Sequence, residues 1–488
     1  MIGISFNKKE FEYDAYTLVK AFYPKEDIEM YGTWEEEGPK DYEKLVSISY
    51  GDRVVIGVHT REHTLEDSAP YDEKEDRKKR KNTLKQILYK LLVQETGQTL
   101  PWGNLTGIRP VKIAMGLIEE GMTNAQAADF MRKTYFTSNE KTALAIAIAN
   151  RERDILKDID YKRGYSLYVG IPFCPSICLY CSFSSSPLEK WRDRVEDYLT
   201  ALLKELDFIS QAMKDRPLNT IYIGGGTPTT LEPDQLRRLL GYIQERFPVK
   251  DISEYTIEAG RPDSITREKL MAIREFPVTR ISVNPQTMNQ KTLEIIGRRH
   301  TVEDTVRAFE LARDCGFDNI NMDLIVGLPG EHKADVEHTL EEVKRLAPDS
   351  LTVHSLAVKR AARLNIFRDQ YQEMTFENNQ EIMDMAMKYA YEMGMGPYYL
   401  YRQKNMCGNL ENTGFAKVDK AGIYNILMME EKQSIMAAGA GASTKFVFQN
   451  GERIERAENV KDVTNYINRI DEMIQRKKVG IDTWLKEI

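Results

Sequence analysis

From Tyr165 onward the sequence alternates short apolar stretches with amphipathic ones, and this alternation restricts the possible folds more than any other feature. Tyr165 to Ile171 reads as a strand and Val195 to Met213 as a helix; Thr220 to Ile223 and Pro233 to Phe247 repeat the pair. The cycle continues with Glu254 to Glu258, Arg267 to Arg274, Arg280 to Asn284, helices at Lys291 to Ile296 and Val302 to Cys315, Asn319 to Val326, Ala334 to Leu346, Leu351 to Leu356 and Glu377 to Met393. Such units demand right-handed crossovers and a parallel sheet. Six of them predict an α/β fold, a partial TIM-like (βα)6 barrel, with an open doubly wound sheet as the alternative. In both, ligands bind at the carboxyl ends of the strands.

A length of 488 residues allows two or three domains. The expected division is an N-terminal α+β domain over 1–160, the barrel over 161–400, and an extension with a short helical tail over 401–488. In the first, Lys44 to Tyr50 and Arg53 to Val58 alternate as strands do, and amphipathic helices follow. No apolar run is long enough to cross a bilayer, and the first ten residues lack a secretory pattern, so a cytoplasmic protein is expected. Five cysteines, three of them clustered, argue against a disulfide framework. A net charge of −7 gives no reason to expect nucleic-acid binding. The basic run Arg77-Lys78-Lys79-Arg80-Lys81 follows acids and reads as the first turn, or the loop, before a helix through Leu84, Leu88 and Leu92, with an RNA-contacting patch as the alternative. Leu100 to Pro110 reads as a structured turn, and the methionines at 383, 385, 387 and 393 as packing.

The chemistry concentrates just after the first barrel strand. Cys174, Cys178 and Cys181 lie within eight residues, spaced Cys-x-x-x-Cys-x-x-Cys. Thiolates this close converge on a soft metal centre, zinc or an iron–sulfur cluster. A structural zinc site usually needs a second ligand pair, which this chain lacks, whereas three thiolates on a four-iron cluster leave one iron open. The other strand ends carry Gly224-Gly225-Gly226-Thr227, Glu258, Asn284-Pro285-Gln286, Asp323 and His354 to Ala357. An acid inside the apolar run Met322 to Val326 is costly unless it is paired or binds a ligand. With Arg298, the rim offers both signs of charge, which suits a zwitterion.

The spacing, with Tyr180 before the third cysteine, resembles that of the radical S-adenosylmethionine (SAM) enzymes. From about Tyr165 to Lys445 the chain is similar to the oxygen-independent coproporphyrinogen III dehydrogenase family, and most to its HemZ-type branch. The resemblance implies a radical SAM barrel in which Cys174, Cys178 and Cys181 hold a [4Fe–4S] cluster, with Tyr180 beside it. It also implies that Tyr168, Gly225, Gly226, Thr227, Glu258, Gln286, Arg298, Asp323 and Ala357 surround SAM. The implied reaction is reductive cleavage of SAM to a 5′-deoxyadenosyl radical by a low-potential electron donor. That radical would drive oxidative decarboxylation of coproporphyrinogen III propionates to vinyl groups, giving protoporphyrinogen IX in haem biosynthesis. The alternatives are a haem-binding carrier and another radical SAM enzyme acting on a tetrapyrrole. Cations at Lys359, Arg360, Arg363, Arg402 and Lys404 are candidate propionate contacts. The chain departs from the dehydrogenase pattern at Gly170, where the family has His, and at Phe183, where it has Cys. It departs again at Tyr424-Asn425-Ile426-Leu427-Met428-Met429, in place of His-Asn-x-x-Tyr-Trp.

Overall fold

The strands of the parallel sheet are buried along most of their length, yet several alternate polar and apolar residues, as in Glu254-Tyr255-Thr256-Ile257-Glu258 and Ser350-Leu351-Thr352-Val353-His354-Ser355. The computed structural model describes residues 1–31, 42–107, 109–183, 185–357, 362–366, 376–402 and 410–487. Two compact units result, Met1–Asn150 with Tyr401–Lys404, and Arg151–Leu400 with Asn405–Ile488.

The smaller unit holds β1 (Ile2–Phe6), β2 (Ile28–Tyr31), β3 (Lys44–Tyr50), β4 (Arg53–Thr60) and β5 (Thr64–Pro70), in the order β2-β1-β3-β4-β5. β1 runs parallel to both neighbours and the other pairings are antiparallel. Ile4, Val46, Ile56 and Val58 share a core with Leu84, Leu88 and Leu92 of the helix Arg77–Thr96. The basic run forms the first turn of that helix. Cations there oppose the helix dipole, and carboxylates offset them: the Asp76 side chain caps Lys79 N at 3.1 Å, Arg80 pairs with Glu10, and Lys79 pairs with Glu75.

In the larger unit β6 (Tyr165–Ile171) leads into a two-residue pair, β7 (Phe173–Cys174) and β8 (Ser186–Pro187), which closes the cysteine loop. Then come β9 (Leu218–Gly225), β10 (Glu254–Glu258), β11 (Arg280–Ser282), β12 (Ile320–Val326) and β13 (Ser350–Ser355). β6 and β9 to β13 are parallel neighbours in chain order, so this is the expected (βα)6 arrangement. Helices follow their strands with one buried stripe; in Val195–Ala212 it is Tyr198, Leu199, Leu202, Leu206 and Ile209. Thr301 opens Val302–Asp314 with a capping box on Asp304.

The larger unit continues beyond β13, where further strands join the same sheet. β14 (Gly396–Tyr401) and β15 (Asn412–Ala416) add beyond β13, with β15 antiparallel to it. β16 (Ser434–Ala438) is a seventh parallel strand beside β6, and β17 (Ser443–Phe448) and β18 (Arg453–Glu458) extend that edge antiparallel. Pattern reading passed over β15 and β16 because Asn412-Thr413-Gly414-Phe415-Ala416 and Ser434-Ile435-Met436-Ala437-Ala438 carry few β-branched residues, so the sheet decides their conformation.

The helix Ile470–Glu487 is bolted to the helix Val195–Ala212 through a buried ion pair. Lys477 Nζ lies 2.7 Å from Glu205 Oε1, with side chains 1% and 0% exposed. Glu205 also accepts from Tyr466 Oη, Asn459 Nδ2 and Gly439 N. Gly439 has φ 110°, and a Cβ there would stand 2.5 Å from the Gly170 carbonyl oxygen, so only glycine fits. Removing one partner of a buried pair strands the other charge, so Lys477→Met should destabilise this unit by about 3 kcal/mol or more. A lower thermal unfolding midpoint, partly restored by adding Glu205→Gln, is the expected result; an unchanged midpoint would show that the pair does not hold the tail.

Candidate functional site

β6 delivers the chain at Ile171 into the cysteine loop, and the loop after β9 is bonded along its start. Gly226 N donates to Ile171 O and Thr227 N to Phe173 O, both at 2.7 Å. The approach is close enough that a Cβ on Gly226 would meet Phe173 O at 2.6 Å. Thr227 Oγ1 then donates to Cys174 Sγ at 3.5 Å. Cys178 is buried, and Cys174 and Cys181 are half-buried. Burial pushes the Cys174 thiol up to about 11, with smaller upward contributions from the other two thiols. Burial also raises Cys181, with Cys178 adding to it. The three sulfurs therefore lie within one another's field. Among the described residues no three Cys, His, Asp or Glu side chains gather around a single-ion position. A four-iron cluster takes each thiolate on a different iron, so three spaced thiols on one loop suit a cluster.

The acids sit where β10 and β12 place them. Glu258 closes β10, where burial and nearby Asp323 hold its carboxyl up at about 7 against the lowering effect of the Tyr222 hydroxyl, Arg280 and Gly225 N–H. Tyr222 Oη donates to Glu258 Oε1. The Tyr222 ring stacks on Tyr424 with centroids 4.6 Å apart and on Tyr168 at 6.3 Å. Asp323 Oδ1 accepts from Asn321 Nδ2 at 2.7 Å, and its Oδ2 lies 4.0 Å from His354 Nε2. Burial lowers the His354 pKa, which favours the neutral ring.

Gln286 and Arg298 are two of the buried residues that keep a polar atom open. Gln286 is held at φ 68° by backbone hydrogen bonds to Asp323 O and from Ile325 N, both 2.9 Å. Its Oε1 has no hydrogen-bond partner, and neither has Arg298 Nε. Arg298 Nη1 donates to Asn284 O at 2.6 Å, and Nη2 lies 3.4 Å from Tyr180 Oη. Ala357 is half-buried just past β13. Glu258 thus closes β10, Gln286 and Ala357 follow β11 and β13, Asp323 stands within β12, and Arg298 follows the helix Gln290–Ile295.

Sequence reasoning missed Tyr222, the partner of Tyr424 and Glu258, and Arg261, which donates to Cys178 Sγ at 3.4 Å. Tyr222 carries a readable signal, because it shares a strand face with Thr220 and Gly224. Of the candidate propionate contacts, Lys359, Arg360 and Lys404 lie outside the described residues. Arg363 is exposed. Arg402 is buried, donating to Leu105 O and lying over the Trp102 ring. At the two departures beside the cysteines, Gly170 O accepts from Tyr198 Oη at 2.6 Å, and Phe183 is exposed.

Residues 168–343 match the Radical SAM superfamily. Over 452 residues the chain is 40% identical to the oxygen-independent coproporphyrinogen-III oxidase-like protein HemZ of Bacillus subtilis, covering 90% of each. It is 33% identical to the heme chaperone HemW of the same organism, over 63% of this chain and 76% of that one. Among solved structures it is similar to the coproporphyrinogen III oxidase HemN of Escherichia coli, described as a radical SAM enzyme, at 24% identity and a TM-score of 0.49 over 66% of this chain and 73% of that one. With nine-tenths of both chains aligned to HemZ, the protein belongs to the radical SAM superfamily, in its group of oxygen-independent coproporphyrinogen-III oxidase-like proteins, a family whose cofactors are a [4Fe–4S] cluster and SAM.

Proposed function

We propose that Cys174, Cys178 and Cys181 hold the [4Fe–4S] cluster and that Tyr168, Tyr180, Gly225, Gly226, Thr227, Glu258, Gln286, Arg298, Asp323 and Ala357 line the SAM site. On this reading the protein decarboxylates coproporphyrinogen III propionates to vinyl groups. The observation that supports it is that the glycine loop after β9 is bonded to the cysteine loop, with the Thr227 hydroxyl on Cys174. The names of the relatives support a tetrapyrrole as the substrate class.

When bound, the cluster and SAM supply one-electron chemistry that removes a hydrogen atom from an unactivated carbon. Each propionate then loses one β-hydrogen, one carbon dioxide and one electron, the last passing to an acceptor. The chain's own part is binding and placement. Glu258 and Asp323 offer oxygens to an ammonium or a ribose, Arg298 offers its free NH to a carboxylate, and the bare Gly224–Gly226 backbone lets a ligand approach closely. Burial raises Tyr168, Tyr222 and Tyr424 above the usual phenol range, so the stack stays neutral beside these acids.

The haem-carrier reading draws on the likeness to HemW. It predicts stoichiometric haem uptake without turnover. Anaerobic, reconstituted protein given reductant, SAM and coproporphyrinogen III should instead release vinyl products and 5′-deoxyadenosine, measured by chromatography and mass spectrometry. SAM cleavage without vinyl formation would remove the substrate assignment and leave the cofactor assignment intact. Cys178→Ala should abolish SAM cleavage.

Glu258 adds a pH dependence. Its carboxyl is raised to about 7, so the carboxylate that accepts hydrogen bonds from SAM becomes the major form only above that pH. SAM affinity, measured by equilibrium dialysis, should rise as pH increases through about 7, and Glu258→Gln should flatten the profile. An equally steep profile in that variant would assign the titration to another group.

A further inference from the structure

Arg261, on the loop after β10, is 4% exposed and takes no part in the rim described above. Its Nε and Nη2 form a two-point fork on the Asp263 carboxylate, at 2.9 and 2.7 Å. Its remaining nitrogen faces the cysteine loop: Nη1 lies 3.1 Å from Ser176 Oγ, 3.4 Å from Ser176 O and 3.4 Å from Cys178 Sγ. Ser176 Oγ in turn donates to Gly297 O at 3.1 Å. One guanidinium is therefore clamped by an acid on one side and presented to a buried sulfur on the other. Arginine suits this arrangement, because its planar fork satisfies the carboxylate with two nitrogens and leaves the third free. Buried charge is also screened far less than surface charge. Arg298, the second buried guanidinium nearby, bonds instead to Asn284 O, Tyr180 Oη and His300 Nε2, and among the described residues no hydrogen bond joins it to a sulfur.

We propose that Arg261 tunes the reduction potential of the cluster, by presenting positive charge and a hydrogen bond to the Cys178 sulfur. This rests on the reading of Cys174, Cys178 and Cys181 as the cluster ligands. Hydrogen bonds to ligand sulfurs and the net charge around a cluster are among the levers that set its potential. A cation here stabilises the more negative, reduced state and raises the potential, so a less reducing donor suffices. Asp263 sets the size of the effect, because its carboxylate partly neutralises the guanidinium. Variants of the two residues should therefore move the potential in opposite directions, which a merely structural clamp would not do.

The test is an anaerobic redox titration of full-length protein, followed by electron paramagnetic resonance, with iron and sulfide content measured alongside. It compares the native protein with Arg261→Gln, Arg261→Lys and Asp263→Asn. The expected result is a more negative midpoint in Arg261→Gln, a value close to native in Arg261→Lys, and a less negative midpoint in Asp263→Asn. Equal midpoints in the loaded proteins would overturn the role of Arg261 and leave the ligand assignment standing. Failure of the native protein to take up a four-iron cluster would overturn both. Should Arg261→Gln not load, the decision passes to Asp263→Asn, and an unchanged midpoint there overturns the proposal.

Discussion

Two backbone hydrogen bonds, from Gly226 to Ile171 and from Thr227 to Phe173, tie the loop after β9 to the cysteine loop, and the geometry of the site follows from them. They exist because β6 and β9 are parallel neighbours whose carboxyl ends finish level, with Ile171 opposite Gly225. They require glycine at 226, and they bring the Thr227 hydroxyl to Cys174. On its other side β6 is held by β16, and Gly170 accepts from Tyr198 while Gly439 packs against it. The C-terminal helix takes part through Lys477 and Glu205, so residues near the end of the chain steady the strand that carries the thiols.

The acids and arginines around the rim are kept buried by a second constraint. A buried charge is tolerated when partners offset its desolvation. Arg261 has Asp263, Asp323 has Asn321, and Glu205 has Lys477 together with three hydrogen-bond donors. Glu258 is the exception. Burial outweighs its donors and leaves the carboxyl near the middle of its titration at neutral pH.

Much of this could be read without coordinates. The switch to strand–helix alternation at Tyr165, the three cysteines in eight residues and the acid inside Met322 to Val326 are local patterns, and local patterns survive in a one-dimensional record. Because parallel connectivity puts every carboxyl end on one rim, the order of the strands alone nominates Glu258, Gln286, Asp323 and Ala357 as neighbours of the thiols. What folding adds is contact between segments far apart in the chain. β15 and β16 become strands because the sheet recruits them; Tyr222 and Tyr424 stack across 202 positions. Arg261 is an unremarked loop residue until the barrel sets it 3.4 Å from Cys178. Periodicity and spacing record which face a residue occupies. Which partner waits on that face, and whether a charge there is paired, orphaned or aimed at a sulfur, depends on burial and distance, and only the tertiary structure determines those.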